Sequence, residues 1–222
     1  TKASLTGLLL TLFILFCSCS KVKFSDTVIE KWADGKSGAV SLTFDDGSIN
    51  QFRVAMPIMD SLGFPGTFFI NTGNIPGSKY QAEFIGRSQE EIIKESANAA
   101  TDRKNLFERA SLVAYAPYSG MGNYFTTAGE LYEAGKIEEA CRKVDEALAL
   151  LRTGKAKPRR TGSGSGADRI TWDDIRIFAA KGHEFASHTI THPRLAIMDS
   201  ANLVYELVGS RKEILEQLGE KY

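Results

Sequence analysis

The sequence has little cysteine, no excess of either charge and no apolar stretch long enough to span a membrane. Only three of its 222 residues are cysteine, which excludes a small fold held together by disulfides. Lys and Arg together number 27, as do Asp and Glu, so the chain lacks the basic surface expected for a nucleic-acid partner. The 43% of apolar residues is ordinary for a globular protein, and the length fits one large domain or one domain carrying an insertion.

The longest uncharged apolar stretch, residues 5–16, lies behind Lys2 and is shorter than the roughly 20 residues of a membrane-spanning helix. A positive start, a short apolar core and then small residues are typical of a secretory signal. A serine directly precedes Cys19, as in the lipobox of bacterial lipoproteins. We therefore predict a lipoprotein signal peptide over residues 1–19 and lipidation at Cys19, which would anchor an exported protein in the membrane at the cell envelope. A plainly cleaved signal and an uncleaved anchor are the alternatives.

Strand and helix signals alternate after a polar spacer over residues 20–37. Residues 38–44 are short, apolar and partly β-branched, which predicts a buried strand, and residues 66–71 predict a second strand. Between them, residues 51–62 have helical spacing of apolar residues, with Pro57 weakening or kinking the helix. A strand, a helix and a strand over about 35 residues are typical of a βαβ unit with parallel strands.

Residues 78–167 show helical patterns and no strand signal. Ser88 and Glu91 have the spacing of a capping box at the start of the first helix. Cys141 lies on an apolar helical face and is expected to be a buried thiol. The last two helices resemble a single tetratricopeptide-type hairpin, which is not stable alone and must pack on other elements. The second, third and fourth helices of this segment are expected over about residues 101–114, 122–134 and 137–151.

The helical segment ends in a basic run over residues 152–160 and a Gly/Ser linker over residues 161–166. We interpret the basic run as a solvated loop, with contact to an anionic polymer as the alternative. Beyond it, Thr171 and Asp174 form a second capping box, and residues 183–187 predict a third strand. The final helix, 200–218, is expected to turn its apolar residues inward, namely Leu203, Leu207, Ile214, Leu215 and Leu218.

Two polar clusters follow predicted strands. Asp45 and Asp46 come after the first strand, and His188 and His192 come after the third. Each cluster alone is commonly a solvated turn or a surface pair, but the carboxyl ends of parallel strands converge at one edge of a sheet. A spacing of four lets both imidazoles face one point if the segment makes a helical turn. Two His and one carboxylate leave open positions on a divalent metal, and a second carboxylate can act as base toward water.

The sequence Thr-Phe-Asp-Asp-Gly over residues 43–47, followed by His188-x-x-x-His192, resembles the polysaccharide deacetylases of carbohydrate esterase family 4, the NodB-homology domain. The intervening residues 66–70 and 182–189 are also similar to that family. The resemblance covers about 40–73 and 168–218.

The resemblance implies a distorted (β/α) barrel. We therefore predict an α/β fold in which residues 38–77 and 168–222 form part of a NodB-like barrel and residues 78–167 form an all-helical insertion. The insertion would leave and return on the face that bears the two polar clusters, where it would wall the substrate groove or recruit a protein partner.

The resemblance also implies roles for the clusters. Asp46, His188 and His192 would bind a divalent metal, most often zinc, and Asp45 would be the general base. The family has later motifs, including an Arg that shapes the groove and a His that protonates the leaving group. They have no counterpart after His192, so we expect a truncated chain of low stability and weak activity.

The predicted function is a metal-dependent hydrolase that removes N- or O-linked acetyl groups from a polysaccharide or peptidoglycan, with the acetylated glycan as its partner. One alternative is a non-catalytic glycan-binding surface lipoprotein that keeps the fold. A weaker alternative is a metal phosphoesterase, because acids and histidines also serve there.

Overall fold

The computed structural model describes residues 30–159 and 169–220. The chain divides into two units, one ending at Val40 and one beginning at Ser41. In the first unit, the described residues 30–40 contain a single 3-10 turn, Ala33–Gly35. The predicted signal peptide with Cys19 and the Gly/Ser linker lie outside the described residues. Within the described ranges no helix is both long enough and apolar enough to span a membrane.

A three-stranded parallel sheet organises the second unit. Its strands are β1 (Thr43–Phe44), β2 (Thr67–Ile70) and β3 (Glu184–Ser187), in the order β1-β2-β3. Phe68 of β2 aligns with Phe44 of β1 and with Phe185 of β3. The predicted parallel βαβ unit and the mixed α/β class are confirmed, while the barrel stays a prediction.

The first strand is shorter and more exposed than the sequence predicted. A buried strand over residues 38–44 is wrong, because β1 contains two residues and Leu42 is 38% exposed. Among the described strands β1 pairs only with β2. It therefore forms an edge of the sheet and has no described strand on its other side.

The helix between β1 and β2 begins with a wide turn. Residues Gln51–Ala55 are π-helical and continue into α1 (Met56–Leu62). Pro57 is the second residue of α1, but the backbone before it is already helical, so its missing N–H and its ring disturb the interior of a continuous helix. The π-helical turn just before Pro57 is the irregularity that the sequence predicted. Gly63 ends α1 with a left-handed φ of 67°.

Four helices follow β2 before the chain returns to the sheet: α2 (Gln89–Glu95), α3 (Leu106–Tyr115), α4 (Met121–Glu133) and α5 (Ile137–Arg152). They share one apolar core, and Cys141 is buried in it as predicted. The core also takes in Ile197 and Met198, which come after β3, so these helices pack on other parts of the same unit.

The two capping boxes differ in outcome. At Ser88 the predicted box is wrong, since its side chain makes no capping bond; the first turn of α2 is exposed, where water can satisfy its amides. At α6 (Trp172–Ala180) the box is confirmed. The Asp174 amide donates to Thr171 Oγ1 at 3.2 Å, and the Thr171 amide donates to Asp174 Oδ2 at 2.8 Å.

The last helix, α7 (Ser200–Leu218), buries a polar face. The prediction that its leucines point inward is wrong for Leu207, which is 43% exposed. The loops packed on α7 present backbone amides that need acceptors, and polar side chains supply them. The fully buried polar residues of α7 are Asn202, Glu206, Ser210 and Glu213.

Candidate metal centre and active site

The two polar clusters meet at the carboxyl edge of the sheet. Asp46 follows β1, and His188 follows β3, where the His188 amide donates to the Ile70 carbonyl at 3.0 Å. Asp46 Oδ1 lies 3.5 Å from Nε2 of His188 and 3.6 Å from Nε2 of His192. Three side chains from two distant parts of the sequence therefore face one point.

The three side chains have the spacing of a metal-ligand set. One ligand atom from each lies within 4.8 Å of the others. Ligands of a four-coordinate zinc ion lie about 3.3–3.6 Å apart, given bond lengths of about 2.0–2.2 Å. The side chains of Asp46 and His192 are 63% and 59% exposed, so the set is open to solution. Two imidazoles and one carboxylate thus fit a divalent cation that keeps open positions.

Residues 188–192, which we call the histidine loop, reach this geometry through strained backbone rather than through a helical turn. Thr189 and His192 have φ of 68° and 58°, and Asp46 has φ of 70°, all in the left-handed region. Each such residue costs of order 1–3 kcal/mol, and such residues cluster at functional sites. The segment does not make the helical turn that the spacing of four would use, yet the two rings do meet, with centroids 4.7 Å apart.

A buried carboxylate on α7 accepts hydrogen bonds from the histidine loop. Glu206 has no exposed surface and accepts hydrogen bonds from the amides of Ile190 and Thr191 at 2.7 and 2.9 Å. It also accepts from the Thr191 hydroxyl at 2.6 Å. These bonds fix the loop between the two histidines. The sequence analysis missed Glu206, and the signal that could have found it is a polar stripe at helical spacing.

The hydroxyl of Tyr115, on α3, completes the shell around Glu206. It donates to Glu206 Oε1 at 2.6 Å. Burial, followed by this hydrogen bond to a carboxylate, raises the pKa of Tyr115 far above its usual range. The tyrosine therefore stays a donor at physiological pH, and the loop that bears the histidines is linked to the helical segment.

Backbone pairing beyond β2 holds the other side of the loop. The Asn71 side-chain amide donates to the His188 carbonyl at 2.8 Å. The Thr72 and Gly73 amides donate to the carbonyls of Thr189 and Ile190 at 3.2 and 2.9 Å. The loop is thus tied to both β2 and α7.

We expect Gly73→Ala to disturb this loop. A Cβ at position 73 would lie 2.6 Å from Ile190 Cγ2 and 2.8 Å from the Ile190 carbonyl oxygen. Because Ile190 lies between the two histidines, we expect a loss of about 1–3 kcal/mol in unfolding free energy and roughly tenfold weaker zinc binding. Thermal unfolding and zinc titration measure both. Gly38→Ala is the control, since, apart from its chain neighbours, no described residue has an atom within 4 Å of a Cβ at position 38. Equal zinc affinity in both variants would contradict the prediction.

Two clefts border the candidate centre. The first, of about 270 Å³, is lined by Asp46 together with Asn71, Asn74 and Arg169. The second, of about 230 Å³, is lined by His192 together with residues of α3 and α4. Asp45, the predicted general base, is exposed next to Asp46.

His183 has the structural role expected from the sequence. Its ring is 2% exposed, and its Nδ1 accepts a hydrogen bond from the Gly66 amide at 3.2 Å. Its Nε2 lies 3.0 Å from Asp60 Oδ1. The Lys181 ammonium, and then His183, hold the pKa of the Asp60 carboxyl below its usual range. Both ring nitrogens are thus occupied away from the metal-ligand set.

Comparison with known proteins gives a match to a protein family. The family model described as polysaccharide deacetylase matches residues 33–105 and 136–222, and the residues between these segments contain α3 and α4. No curated protein and no solved structure matches the chain. The matched segments make up more than half of the sequence and contain both polar clusters. The chain therefore belongs to the polysaccharide deacetylase family.

Proposed function

We propose that this chain is a metal-dependent hydrolase that removes acetyl groups from a glycan. Asp46, His188 and His192 are the proposed metal ligands, and Asp45 is the proposed general base. The observation that carries the proposal is the convergence of three ligand atoms within 4.8 Å at an exposed sheet edge, in a chain of the polysaccharide deacetylase family.

The chemistry divides between the metal and the two adjacent carboxylates. A bound divalent cation, with zinc favoured by two imidazoles and one carboxylate, would polarise the acetyl carbonyl and lower the pKa of the attacking water. Asp45 is exposed, directly precedes Asp46 in the chain and is not a member of the ligand set, so we assign to it the role of taking the proton from the water. The two clefts, one lined by Asp46 and the other by His192, would hold the glycan with its acetyl group at the metal ligands.

Rigid support of the ligand set also favours catalysis. The backbone of the histidine loop is held by Glu206 on one side and by Asn71, Thr72 and Gly73 on the other. Residues that fix metal ligands in this way raise metal affinity and keep the geometry ready for reaction.

The test is acetate release from acetylated oligosaccharides by the full chain. We expect turnover to be lost when divalent metal is removed with a chelator and to return when zinc is added. Glycan binding without acetate release at any divalent metal would contradict hydrolysis and favour the non-catalytic glycan-binding alternative. Turnover of phosphate esters but not of acetyl groups would favour a phosphoesterase.

We also propose that the protein is exported and anchored through lipid at Cys19. The support is the sequence of residues 1–19, with Lys2 before a short apolar stretch and a serine before Cys19. An envelope location would place the site beside extracellular glycans, which agrees with the proposed substrate class.

A further inference from the structure

We propose that the cleft beside His192 binds an anionic substituent, a carboxylate or a phosphate, of the glycan being deacetylated. This proposal rests on the proposed function and deepens it, because it adds a charge to the substrate class. We call this cleft the arginine cleft; its lining includes Tyr115, Phe125, Thr126, Arg159, His192 and Arg194.

The position of the arginine cleft places its occupant next to the candidate metal centre. His192 is both a member of the metal-ligand set and part of the cleft lining. The opposite wall comes from α3 and α4, through Tyr115 and Phe125. A glycan with an acetyl group at the metal centre can therefore extend a neighbouring substituent into this cleft.

The charge in the lining is positive. Arg159 and Arg194 both line the cleft, and no carboxylate lines it among the residues that the structure describes. Arg194 is already neutralised, since its guanidinium donates to Glu133 at 2.7 Å and lies 3.5 Å from Glu130. Arg159 makes no side-chain hydrogen bond or ion pair with any residue that the structure describes, so its guanidinium is available to a ligand.

The backbone of Arg159 is held in place although its side chain is exposed. The Arg159 amide donates to the Pro117 carbonyl at 3.0 Å, and the Ser119 amide donates to the Lys157 carbonyl at 2.8 Å. These bonds fix the end of the basic run against the segment that joins α3 and α4. The run was interpreted as a solvated loop, and the structure places one of its cations in a cleft that also contains His192.

The chemistry of the cleft selects for an anion. A guanidinium presents N–H groups in a planar fork that matches a carboxylate or a phosphate. The exposed Thr126 offers a hydroxyl in the same cleft, while the Tyr115 hydroxyl is engaged by Glu206. A neutral sugar gains none of the ionic attraction to Arg159.

The test measures binding by calorimetry in the presence of a chelator, so that no turnover is needed. The probes are three acetylated amino-sugar tetrasaccharides of equal length: a neutral one, one with lactyl carboxylates and one with phosphate groups. We expect the full chain to bind at least one anionic probe about fivefold more tightly than the neutral probe at low salt. We expect Arg159→Gln to remove this preference, so that the anionic and neutral probes bind the variant with equal affinity. The anionic probe that binds more tightly identifies the substituent.

Lys157→Gln is the matched control. Lys157 is exposed in the same basic run but does not line the cleft, so this variant should keep the preference. Three results would overturn the proposal: no preference in the unaltered chain, a preference that survives Arg159→Gln, or an equal loss in Lys157→Gln. A chain that shows the preference but releases no acetate with zinc contradicts the hydrolase proposal, and leaves the anion specificity of the cleft in place.

Discussion

Asp45→Asn should abolish most acetate release and leave zinc binding unchanged. Asparagine keeps the size of the side chain but cannot accept the proton of the attacking water. Loss of a general base lowers the turnover rate by about 10²–10⁴-fold. Because the metal-ligand set contains Asp46 and not Asp45, the zinc affinity of the variant should equal that of the unaltered chain. Acetate release and zinc titration of the same preparation measure the two effects.

His188→Ala is the contrasting variant. It removes one of three ligand atoms, so both zinc binding and acetate release should be lost. The loop should keep its conformation, because the bonds made by residue 188 to Ile70 and Asn71 use its backbone. Loss of zinc from Asp45→Asn would contradict the assignment and would exchange the roles of the two aspartates. Full turnover in Asp45→Asn would remove the general base from the proposal.

The candidate site could be predicted because the relevant signals are local and the topology is simple. Asp46 and the His188–His192 pair are about 140 residues apart, yet each follows an apolar strand directly. Parallel strands bring their carboxyl ends to the same edge whatever lies between them. The long helical segment therefore did not obscure the site.

The conformation of the histidine loop could not be predicted from spacing. A spacing of four suggests a helical turn, but Thr189 and His192 adopt left-handed φ values. Such conformations are unfavourable for these residue types and persist only when surrounding bonds impose them. Here those bonds come from Glu206 and from the residues after β2, which are distant in sequence.

Hydrophobic patterning also failed where the buried surface is polar. The leucines of α7 suggested an apolar inner face, whereas Asn202, Glu206 and Glu213 are buried. Each of these side chains bonds to the backbone of a loop: Ile85, Ile190 and Lys79 respectively. Periodicity of apolar residues reports only apolar burial, so a helix that anchors loops is misread.

Glu206→Ala should cause the largest combined loss of stability and metal affinity. It would leave the buried amide of Ile190 and the half-buried amide of Thr191 without their acceptor, and an unsatisfied buried group costs about 1–3 kcal/mol. We expect the unfolding free energy to fall by about 3 kcal/mol or more. Zinc affinity should fall by about 10–100-fold, because the released loop contains the segment between both histidines. Glu206→Gln keeps an acceptor oxygen and should recover part of both losses.

Glu213→Ala separates this role from simple loss of a buried acid. Glu213 lies on the same helix, is equally buried and accepts from the amides of Lys79 and Tyr80 at 2.8 and 3.4 Å. Its removal should lower stability without altering zinc affinity measured below the unfolding temperature. Equal zinc affinity in the two alanine variants would show that Glu206 supports the fold alone. A loss confined to the Glu206 variant would identify Glu206 as a residue that positions the metal ligands, because Glu206 hydrogen-bonds to the histidine loop, whereas Glu213 bonds to Lys79 and Tyr80.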